Sequence, residues 1–249
     1  MTKSDVNKII DWLKEFFNNH KVLGAVVGMS GGKDSLITAK LLTCAIGKDN
    51  VVGVIMPNGK MTDMEDAVKS CDLLGIRHYC VDINNTYNTI LENTKSVLEK
   101  EKKDISTVTT FNTPPRIRMA TLYAIAGSLG YVVANTSNLS EAMVGYTTKW
   151  GDNVGDISPI ANFTKTEVCQ IGLLLGLDKN LVLKAPSDGL TGKSDEDSMG
   201  ITYDELDNYI RTGKKCANYE RITALHNKSK HKRSGVYKYM PNLKNHFKD

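Results

Sequence analysis

The stretch GMSGGKDS, residues 28–35, lies between an apolar run and a segment with helical spacing, and it decides the fold. The apolar run GAVVGM, residues 24–29, predicts a buried strand, and residues 35–46 predict a helix that ends at Gly47. Glycines in such a turn let backbone N–H groups approach an anion, and the helix N-terminus adds a partial positive charge. The stretch therefore predicts a phosphate-binding turn between a strand and a helix.

Two familiar phosphate-binding loops do not match this stretch. The Walker A pattern requires a glycine where Val27 stands and a serine or threonine where Asp34 stands. The dinucleotide pattern G-x-G-x-x-G requires a glycine where Ser30 stands. Because Asp34 would repel a bare phosphate, we expect a divalent cation between its carboxylate and the phosphate.

The rest of the chain alternates strands with helices. A second apolar strand is predicted at residues 51–56, a third strand at 76–83 and a fourth at 131–135. Segments with helical spacing lie at residues 4–19, 62–74 and about 115–129. This alternation implies right-handed crossovers, so it predicts an α/β fold: a doubly wound, Rossmann-like parallel sheet with helices on both faces. The 249 residues suffice for a substantial core, and we expect a single domain over residues 1–249.

Two segments interrupt the alternation. The gap before the strand at 131–135 is too long for one crossover, and we place an insertion, residues 84–113, at one edge of the sheet. It contains a predicted helix at 86–100 and a threonine-rich stretch that leads to Pro114 and Pro115. The second segment, SDGLTGKSDEDSMG at residues 187–200, is rich in glycine, serine and aspartate and predicts a mobile loop.

The composition excludes several classes of protein. The net charge of +4 is too small to indicate nucleic acid as a partner, but it suits an anionic small-molecule substrate. No apolar run approaches the ~20 residues that span a bilayer, and the N-terminus lacks the pattern of a signal peptide, so we expect no membrane association. The five cysteines have no metal-like spacing and predict reduced thiols in a cytoplasmic protein.

The segment SGGKDS, residues 30–35, resembles the SGGxDS signature of the N-type ATP pyrophosphatases. That resemblance implies cleavage of ATP to AMP and pyrophosphate while an acid or carbonyl oxygen of a second substrate is adenylated. It also implies that the loop holds the pyrophosphate end of ATP and that Asp34 binds Mg²⁺. The signature indicates the reaction class and leaves the second substrate open.

Three later segments narrow the substrate. They are FNTPPRIRMATLYAIAG at residues 111–127, NTSNLSEAMVGYTTKWGDNVGDISPIANFTKTEV at 135–168, and HKR at 231–233. Together with the loop they resemble the ammonia-dependent NAD synthetases from about residue 4 to the C-terminus. The resemblance implies ATP-dependent amidation of deamido-NAD to NAD through an adenylated nicotinate, with AMP and pyrophosphate as products. Because this pattern occupies the whole chain, we expect no appended glutaminase domain and hence use of free ammonia.

The resemblance also implies site residues, in three groups. The ATP-binding positions are Gly28, Met29, Ser30, Gly31, Gly32, Lys33, Asp34, Ser35, Thr136, Lys165 and Ser187. The Mg²⁺ ligands are Asp34 and Glu141, and the catalytic residues are Asp34 and Lys165. The deamido-NAD positions are Arg116, Lys149, Asp156, His231 and Lys232, of which the last two are implied to come from a partner subunit.

Physical reasoning from the residues supports part of this assignment. Thr136 follows a predicted strand, at the sheet edge where α/β folds bind ligands. Lys165 is the first residue of a predicted helix, where its positive charge opposes the helix dipole at a cost of at most about 1 kcal/mol. A lysine at this position is reasonable if its ammonium faces the phosphates of ATP. Arg116 and Arg118 point about 200° apart on a helix, so we expect one to face the substrate, and the resemblance favours Arg116.

Two other functions and one contact remain open from the sequence. Another adenylating amidase or tRNA-modifying enzyme of the same superfamily would use the same loop, although neither a strongly basic face nor a pair of catalytic cysteines is evident. A non-catalytic module would bind an adenine nucleotide and release no pyrophosphate. The adenosine contacts are open because Ile55 and Met61 stand where many relatives place polar groups.

We also expect a homodimer whose interface contributes to the deamido-NAD site. The apolar N-terminal helix and the insertion 84–113 exceed what one five-stranded sheet needs to cover itself. Arg116 follows that insertion directly, and the resemblance implies that two subunits share the substrate residues. Two-fold symmetry would then place two identical sites along the interface.

Overall fold

The computed structural model describes residues 1–60, 63–183 and 194–239. The predicted ATP-binding residue Ser187, the position Met61 and residues 187–193 of the predicted mobile loop lie outside the described residues. No helix in the described part of the chain is long and apolar enough to cross a membrane.

The described residues form one small sheet surrounded by helices. The strands are β1 (Ala25–Gly28), β2 (Val51–Ile55), β3 (Arg77–Cys80) and β4 (Val132–Ala134). The earlier helices are α1 (Lys3–His20), α2 (Lys33–Ile46), α3 (Met64–Leu74), α4 (Asn84–Glu99) and α5 (Thr107–Leu129). The later helices are α6 (Leu139–Val144), α7 (Lys165–Leu174), α8 (Lys179–Val182), α9 (Asp195–Met199), α10 (Tyr203–Thr212), α11 (Tyr219–Lys228) and α12 (Lys230–Arg233).

The strand order is β3-β2-β1-β4, and every neighbouring pair is parallel. The chain runs from β1 through β2 to β3 on one side and then returns past β1 to place β4 on the other side. The predicted doubly wound parallel sheet is therefore confirmed. The expected fifth strand is absent from the described residues, where an isolated parallel bridge from Ala134 to Ile157 extends the sheet instead.

Helices cover both faces of the sheet, as predicted. Ala25 and Val27 pack on one face against a core to which α1, α2, α3 and α7 contribute. Val26, Val52 and Val54 pack on the other face, against residues of α5 and the start of α4. Because the central strands are buried on both faces, they appear in the sequence as continuous apolar runs without alternation.

The helix predicted at 115–129 is longer than expected and begins directly after Ser106. The predicted start was about residue 115, after the threonine-rich stretch that leads to Pro114 and Pro115. Proline lacks a backbone donor and clashes with the preceding turn, so a helix that continues through both prolines needs other support. The Ser106 side chain accepts a hydrogen bond from the backbone N–H of Thr109, so a capped N-terminus lies upstream of both prolines. Pro114 is buried within this helix.

The second part of the predicted mobile loop is also helical. Ser194 caps α9, and its side chain and that of Asp197 form a reciprocal capping box. Asp195 and Met199 are buried, so this helix is anchored to the rest of the chain. A composition rich in serine and acidic residues indicated a loop, but the same residues stabilise the N-terminus of a short helix.

Candidate active site

The predicted phosphate loop maps onto the turn between β1 and α2. Met29 is buried beneath the turn, Gly32 is the N-cap, and α2 begins at Lys33. Gly31 has a φ of +81°, and a Cβ at this position would lie 2.6 Å from the backbone oxygen of Asp63. Only glycine fits there, and the turn lies at the positive end of α2, where an anion is stabilised.

Two serines brace this turn. The hydroxyl of Ser35 donates a hydrogen bond to the carbonyl oxygen of Gly32 at 2.9 Å. The backbone N–H of Gly32 donates to Ser30 Oγ at 3.2 Å. We therefore expect a phosphate that binds the Gly32 amide to compete with the Ser30 hydroxyl.

The carboxyl ends of β1 and β4 meet where the direction of the crossovers reverses, and open α/β sheets bind their ligands at this place. Asp34 lies on the β1 side, in the first turn of α2. On the β4 side, Asn138 caps α6 and forms a reciprocal capping box with Glu141. Asn138 Nδ2 also donates to Asp34 Oδ2 at 3.3 Å, so one amide side chain joins the two sides of the crevice.

Three ionisable side chains meet in this crevice. Lys165 Nζ lies 2.6 Å from Asp34 Oδ2 and 3.1 Å from Glu141 Oε1. The side chains of Lys165, Asp34 and Glu141 are only 7%, 16% and 15% exposed, so solvent screens their charges weakly. Burial raises the pKa of Glu141 to about 7, although Lys165 lowers it. Burial alone would lower the pKa of Lys165, but the two carboxylates raise it well above its ordinary value.

The residues of this crevice fit a divalent cation. Asp34 Oδ1 is buried and has no hydrogen-bond partner among the described residues, which is costly unless a group from outside the chain satisfies it. Mg²⁺ binds through one or two carboxylates and completes its shell with water and substrate phosphates. Asp34 and Glu141 offer that donor set. The part of the chain that the structure describes holds no group of three or more His, Cys, Asp or Glu suited to a metal.

A buried carboxylate that the sequence analysis missed holds Lys165 and Glu141 in place. Asp207 of α10 accepts hydrogen bonds from the hydroxyl of Ser140 and, at 2.7 Å, from the backbone N–H of Thr166. Ser140 Oγ in turn accepts a hydrogen bond from the backbone N–H of Lys165 at 2.9 Å. The first turns of α6 and α7 are thereby fixed relative to one another.

An aromatic ring that the sequence analysis also missed lies beside the lysine. Lys165 Nζ is 5.1 Å from the centroid of the Tyr203 ring, within the range of a cation–π contact. Tyr203 is buried, and its hydroxyl donates to Asp195 Oδ2 at 3.0 Å. The ammonium is therefore surrounded by two carboxylates and one aromatic ring.

Two residues predicted to bind the second substrate lie together. Nε and Nη2 of Arg116 each lie 3.3 Å from the carbonyl oxygen of Lys149 and donate to it. Arg118 behaves differently, since its Nε donates to the carbonyl oxygen of Met56 at 3.0 Å, beyond the end of β2. Burial lowers the pKa of Arg118, against the opposing effect of Asp152. The two arginines thus diverge as their spacing predicted, while the role of Arg116 stays a prediction.

Asp156 and Thr136 lie beside β4. The carboxylate of Asp156 accepts hydrogen bonds from the backbone N–H of Val133 at 2.7 Å and from the hydroxyl of Tyr123 at 3.2 Å. It therefore holds the edge of the sheet, whatever it contributes to a substrate. Thr136 is half-buried just beyond β4, where a ligand-contacting residue was expected. Their substrate contacts stay predictions.

The C-terminal residues pack on the same chain. We expected Lys232 to act in the site of a partner subunit. Its ammonium donates to the carbonyl oxygens of Gly145 at 2.8 Å and Thr147 at 2.6 Å, which caps the carboxyl end of α6. Burial lowers the pKa of Lys232. His231 precedes it and is exposed, so a substrate contact from this pair stays a prediction.

The apolar residue Ile55 has a structural explanation. Its side chain is fully buried in the core on the α2 and α3 face of the sheet. Packing therefore accounts for an isoleucine at a position where a polar adenosine contact was considered.

Comparison with known proteins gives one consistent family. A family model described as NAD synthase matches residues 5–248. The NH(3)-dependent NAD(+) synthetase of Carboxydothermus hydrogenoformans is 37% identical, covering 91% of this chain and 93% of the relative. That of Pyrococcus horikoshii is 39% identical, covering 92% and 93%. Among solved structures, the NMN synthetase of Francisella tularensis superposes with a TM-score of 0.86 at 36% identity, covering 98% of this chain and all of that one. The NH3-dependent NAD synthetase of Campylobacter jejuni gives a TM-score of 0.73 at 24% identity and covers 98% of this chain, which supports the fold.

Proposed function

The chain belongs to the NAD synthase family, and we propose that it amidates deamido-NAD to NAD with ammonia at the expense of ATP. The observation that carries the proposal is the contact of Lys165 with Asp34 and Glu141, next to a glycine-rich turn at the switch point of the sheet. The triphosphate of ATP carries a divalent cation, for which two carboxylates are suitable ligands. Its phosphates also need positive groups, which the lysine and the helix N-terminus supply.

The first step forms an adenylate. A carboxylate oxygen of the nicotinate attacks the α-phosphorus of ATP, and the bond from that phosphorus to the bridging oxygen of pyrophosphate breaks. Charge accumulates on the departing pyrophosphate, and the ammonium of Lys165 and the amides at the N-terminus of α2 stabilise it. A bound Mg²⁺ would neutralise charge on the same phosphate oxygens, and Asp34 and Glu141 would hold it.

The second step forms the amide. Ammonia attacks the acyl carbon and loses a proton, and the carbon–oxygen bond to AMP breaks, so that NAD and AMP are released. Water competes with ammonia for the acyl adenylate, which makes a closed site valuable. We propose ATP-binding roles for the turn from Gly28 to Ser35, for Thr136 and Lys165, and for Ser187.

The deamido-NAD site would adjoin this crevice. Arg116 and Lys149 lie together and would contact the dinucleotide. We propose that Asp156, His231 and Lys232 contact it as well. Lys232 packs on residues 145–153, the segment that carries Lys149. Its contacts therefore favour a role in the site of its own chain over a role in the site of a partner subunit.

A second candidate is the same amidation on a mononucleotide. It is favoured by the TM-score of 0.86 with the NMN synthetase of Francisella tularensis, higher than the 0.73 with the Campylobacter jejuni enzyme. Such an enzyme would convert nicotinate mononucleotide to NMN by identical chemistry. The ratio of kcat/KM for deamido-NAD to kcat/KM for nicotinate mononucleotide separates the candidates.

We propose that the protein is a homodimer that pairs through the α4–α5 surface, defined by Ile90, Val97, Val108 and Phe111. These apolar side chains are 41–67% exposed, and no residue of α4 is buried. Neighbouring exposed apolar residues of this kind are typical of an interface. A cytoplasmic location is proposed because all five cysteines are free thiols.

The decisive experiment is release of pyrophosphate from ATP with Mg²⁺, ammonium and deamido-NAD. We expect pyrophosphate, AMP and NAD in equal amounts, and no NAD when ammonium is omitted. A nucleotide-binding module would release no pyrophosphate. A tRNA-modifying relative would release it only when its own substrate is supplied, so the absence of release that depends on deamido-NAD would contradict the proposal.

A further inference from the structure

Lys165 bridges the two carboxylates, Asp34 and Glu141, that the proposed cation would share. Its ammonium lies within 3.1 Å of both carboxylates and offsets part of their negative charge. This inference rests on the proposed function, in which the same carboxylates bind Mg²⁺. A cation bound by both carboxylates would share their negative charge and repel the ammonium, so the hold of Asp34 and Glu141 on Lys165 weakens when the cation binds.

Among the residues that the structure describes, the Tyr203 ring is the other partner of the ammonium. It lies 5.1 Å from Lys165 Nζ and is neutral. A neutral ring attracts the ammonium through its quadrupole but leaves the positive charge available to a phosphate, and it offers Mg²⁺ no ligand. It therefore differs from the carboxylates in what it can do once a cation is bound.

The ring is held from two sides, which makes it a firm support. The Tyr203 hydroxyl donates to Asp195 Oδ2 at 3.0 Å, and the Tyr203 backbone N–H donates to Glu196 Oε1 at 2.7 Å. The side chain also packs in a core of its own with Val144 and Leu206. A ring fixed in this way keeps its position when the charges around the lysine are rearranged.

We propose that Tyr203 is a positioning residue for Lys165: the Tyr203 ring holds the ammonium in the crevice when Asp34 and Glu141 bind a divalent cation and hold the lysine less strongly. Lys165 is then kept near the phosphates instead of turning toward solvent. The carboxylates thus hold the lysine before the cation binds, and the ring holds it afterwards.

A pair of variants separates the ring from its hydroxyl. Tyr203→Phe keeps the ring and removes the bond to Asp195, whereas Tyr203→Leu removes the ring and keeps an apolar side chain. By calorimetry with Mg·ATP alone, we expect Tyr203→Phe to bind like the unmodified chain. Tyr203→Leu should bind about 2- to 30-fold more weakly, the range of a cation–π contact. Equal losses in both variants would assign the effect to the hydroxyl and overturn the proposal.

A double-mutant cycle distinguishes positioning from a merely structural role. In a Lys165→Met background the ring has no ammonium to hold, so Tyr203→Leu should weaken Mg·ATP binding by no further factor. If Tyr203→Leu weakens binding equally in both backgrounds, its effect is structural and the proposal is wrong. Thermal unfolding of all variants measures the packing contribution separately.

A spectroscopic readout tests the contact without turnover. With ¹³C-labelled lysine, the ε-methylene signal of Lys165, assigned by its loss in Lys165→Met, should show a ring-current shift that is lost in Tyr203→Leu. The shift should persist after addition of Mg·ATP. Its disappearance on addition would mean that the lysine leaves the ring and would overturn the proposal. If Mg·ATP leaves the whole spectrum of the unmodified chain unchanged, the proposed function fails, while loss of the shift in Tyr203→Leu still decides the contact.

Discussion

The backbone N–H of Thr166 donates a hydrogen bond of 2.7 Å to the buried carboxylate of Asp207, which joins the first turn of α7 to α10. The same carboxylate accepts a hydrogen bond from the hydroxyl of Ser140, the residue before Glu141. Because the negative charge lies at the N-terminus of α7, the helix dipole stabilises it. One side chain therefore sets the distance between the helices that supply Lys165 and Glu141.

Replacement of Asp207 by Asn is expected to impair both stability and turnover. Asparagine has one acceptor oxygen in place of two, so either Ser140 or Thr166 loses its partner, at a cost of about 1–3 kcal/mol. Displacement of Lys165 relative to Glu141 should lower kcat by on the order of tenfold to a hundredfold. Asp204→Asn is the matched control, because Asp204 is exposed on the same helix. Equal turnover of Asp207→Asn and Asp204→Asn would contradict a positioning role.

The central strands β1 and β2 could be predicted from sequence because they are continuous apolar runs, whereas β3 is a polar and mostly exposed strand. Each predicted strand overlaps an observed one, and α2 ends at Gly47 as expected. The prediction failed where local rules conflict with packing. The helix was predicted from about residue 115, yet α5 begins after a cap at Ser106 and continues through the buried Pro114, and the acidic residues after Ser194 form a capped helix.

The site could be predicted only in part, because some of its residues act through packing between distant parts of the chain. Asp34 was accessible to reasoning because a carboxylate in a phosphate loop requires a cation. Asp207 and Tyr203 were missed because they act through contacts between helices that lie far apart in the sequence. A signal for Asp207 was present in the sequence, since this carboxylate lies four residues after Tyr203 and next to Leu206, on the buried face of α10. An unpaired charge is costly there, so the position indicated that Asp207 has a buried partner.

Changes at Asn138 should separate the capping of α6 from its contact with Asp34. Asn138→Ala removes both, and we expect about 0.5–2 kcal/mol of destabilisation together with weaker Mg·ATP binding. Asn138→Ser keeps a capping hydroxyl but removes the amide that donates to Asp34 Oδ2. Asn138→Ser should therefore unfold near the temperature of the unmodified chain and still bind Mg·ATP more weakly. Normal binding by Asn138→Ser would show that the amide does not matter to the site.

The cysteines should differ in reactivity at mildly alkaline pH. Cys71 is fully buried, and burial, with a contribution from Asp72, raises the pKa of its thiol to about 11. Its thiolate is therefore scarce as well as inaccessible. Cys44 and Cys80 are exposed. Mass spectrometry after brief treatment with iodoacetamide should find Cys44 and Cys80 alkylated and Cys71 intact. Denaturant should make Cys71 react, and alkylation of native Cys71 as fast as Cys44 would refute the prediction.

The α4–α5 surface can be tested with Val97→Glu. Val97 is 61% exposed in the single chain, so a glutamate there should cost the isolated subunit little, whereas an interface would bury an unpaired charge at a cost of several kcal/mol. An obligate dimer buries at least ~2,000 Å² in total, and Val97→Glu should convert it to a monomer in sedimentation. Leu73→Glu is the control, since Leu73 is 56% exposed on α3, outside the surface. The α5 that carries Val108 and Phe111 also carries Arg116, so loss of the dimer should weaken deamido-NAD binding more than Mg·ATP binding. If Val97→Glu and Leu73→Glu sediment alike and bind deamido-NAD alike, the proposed interface is wrong.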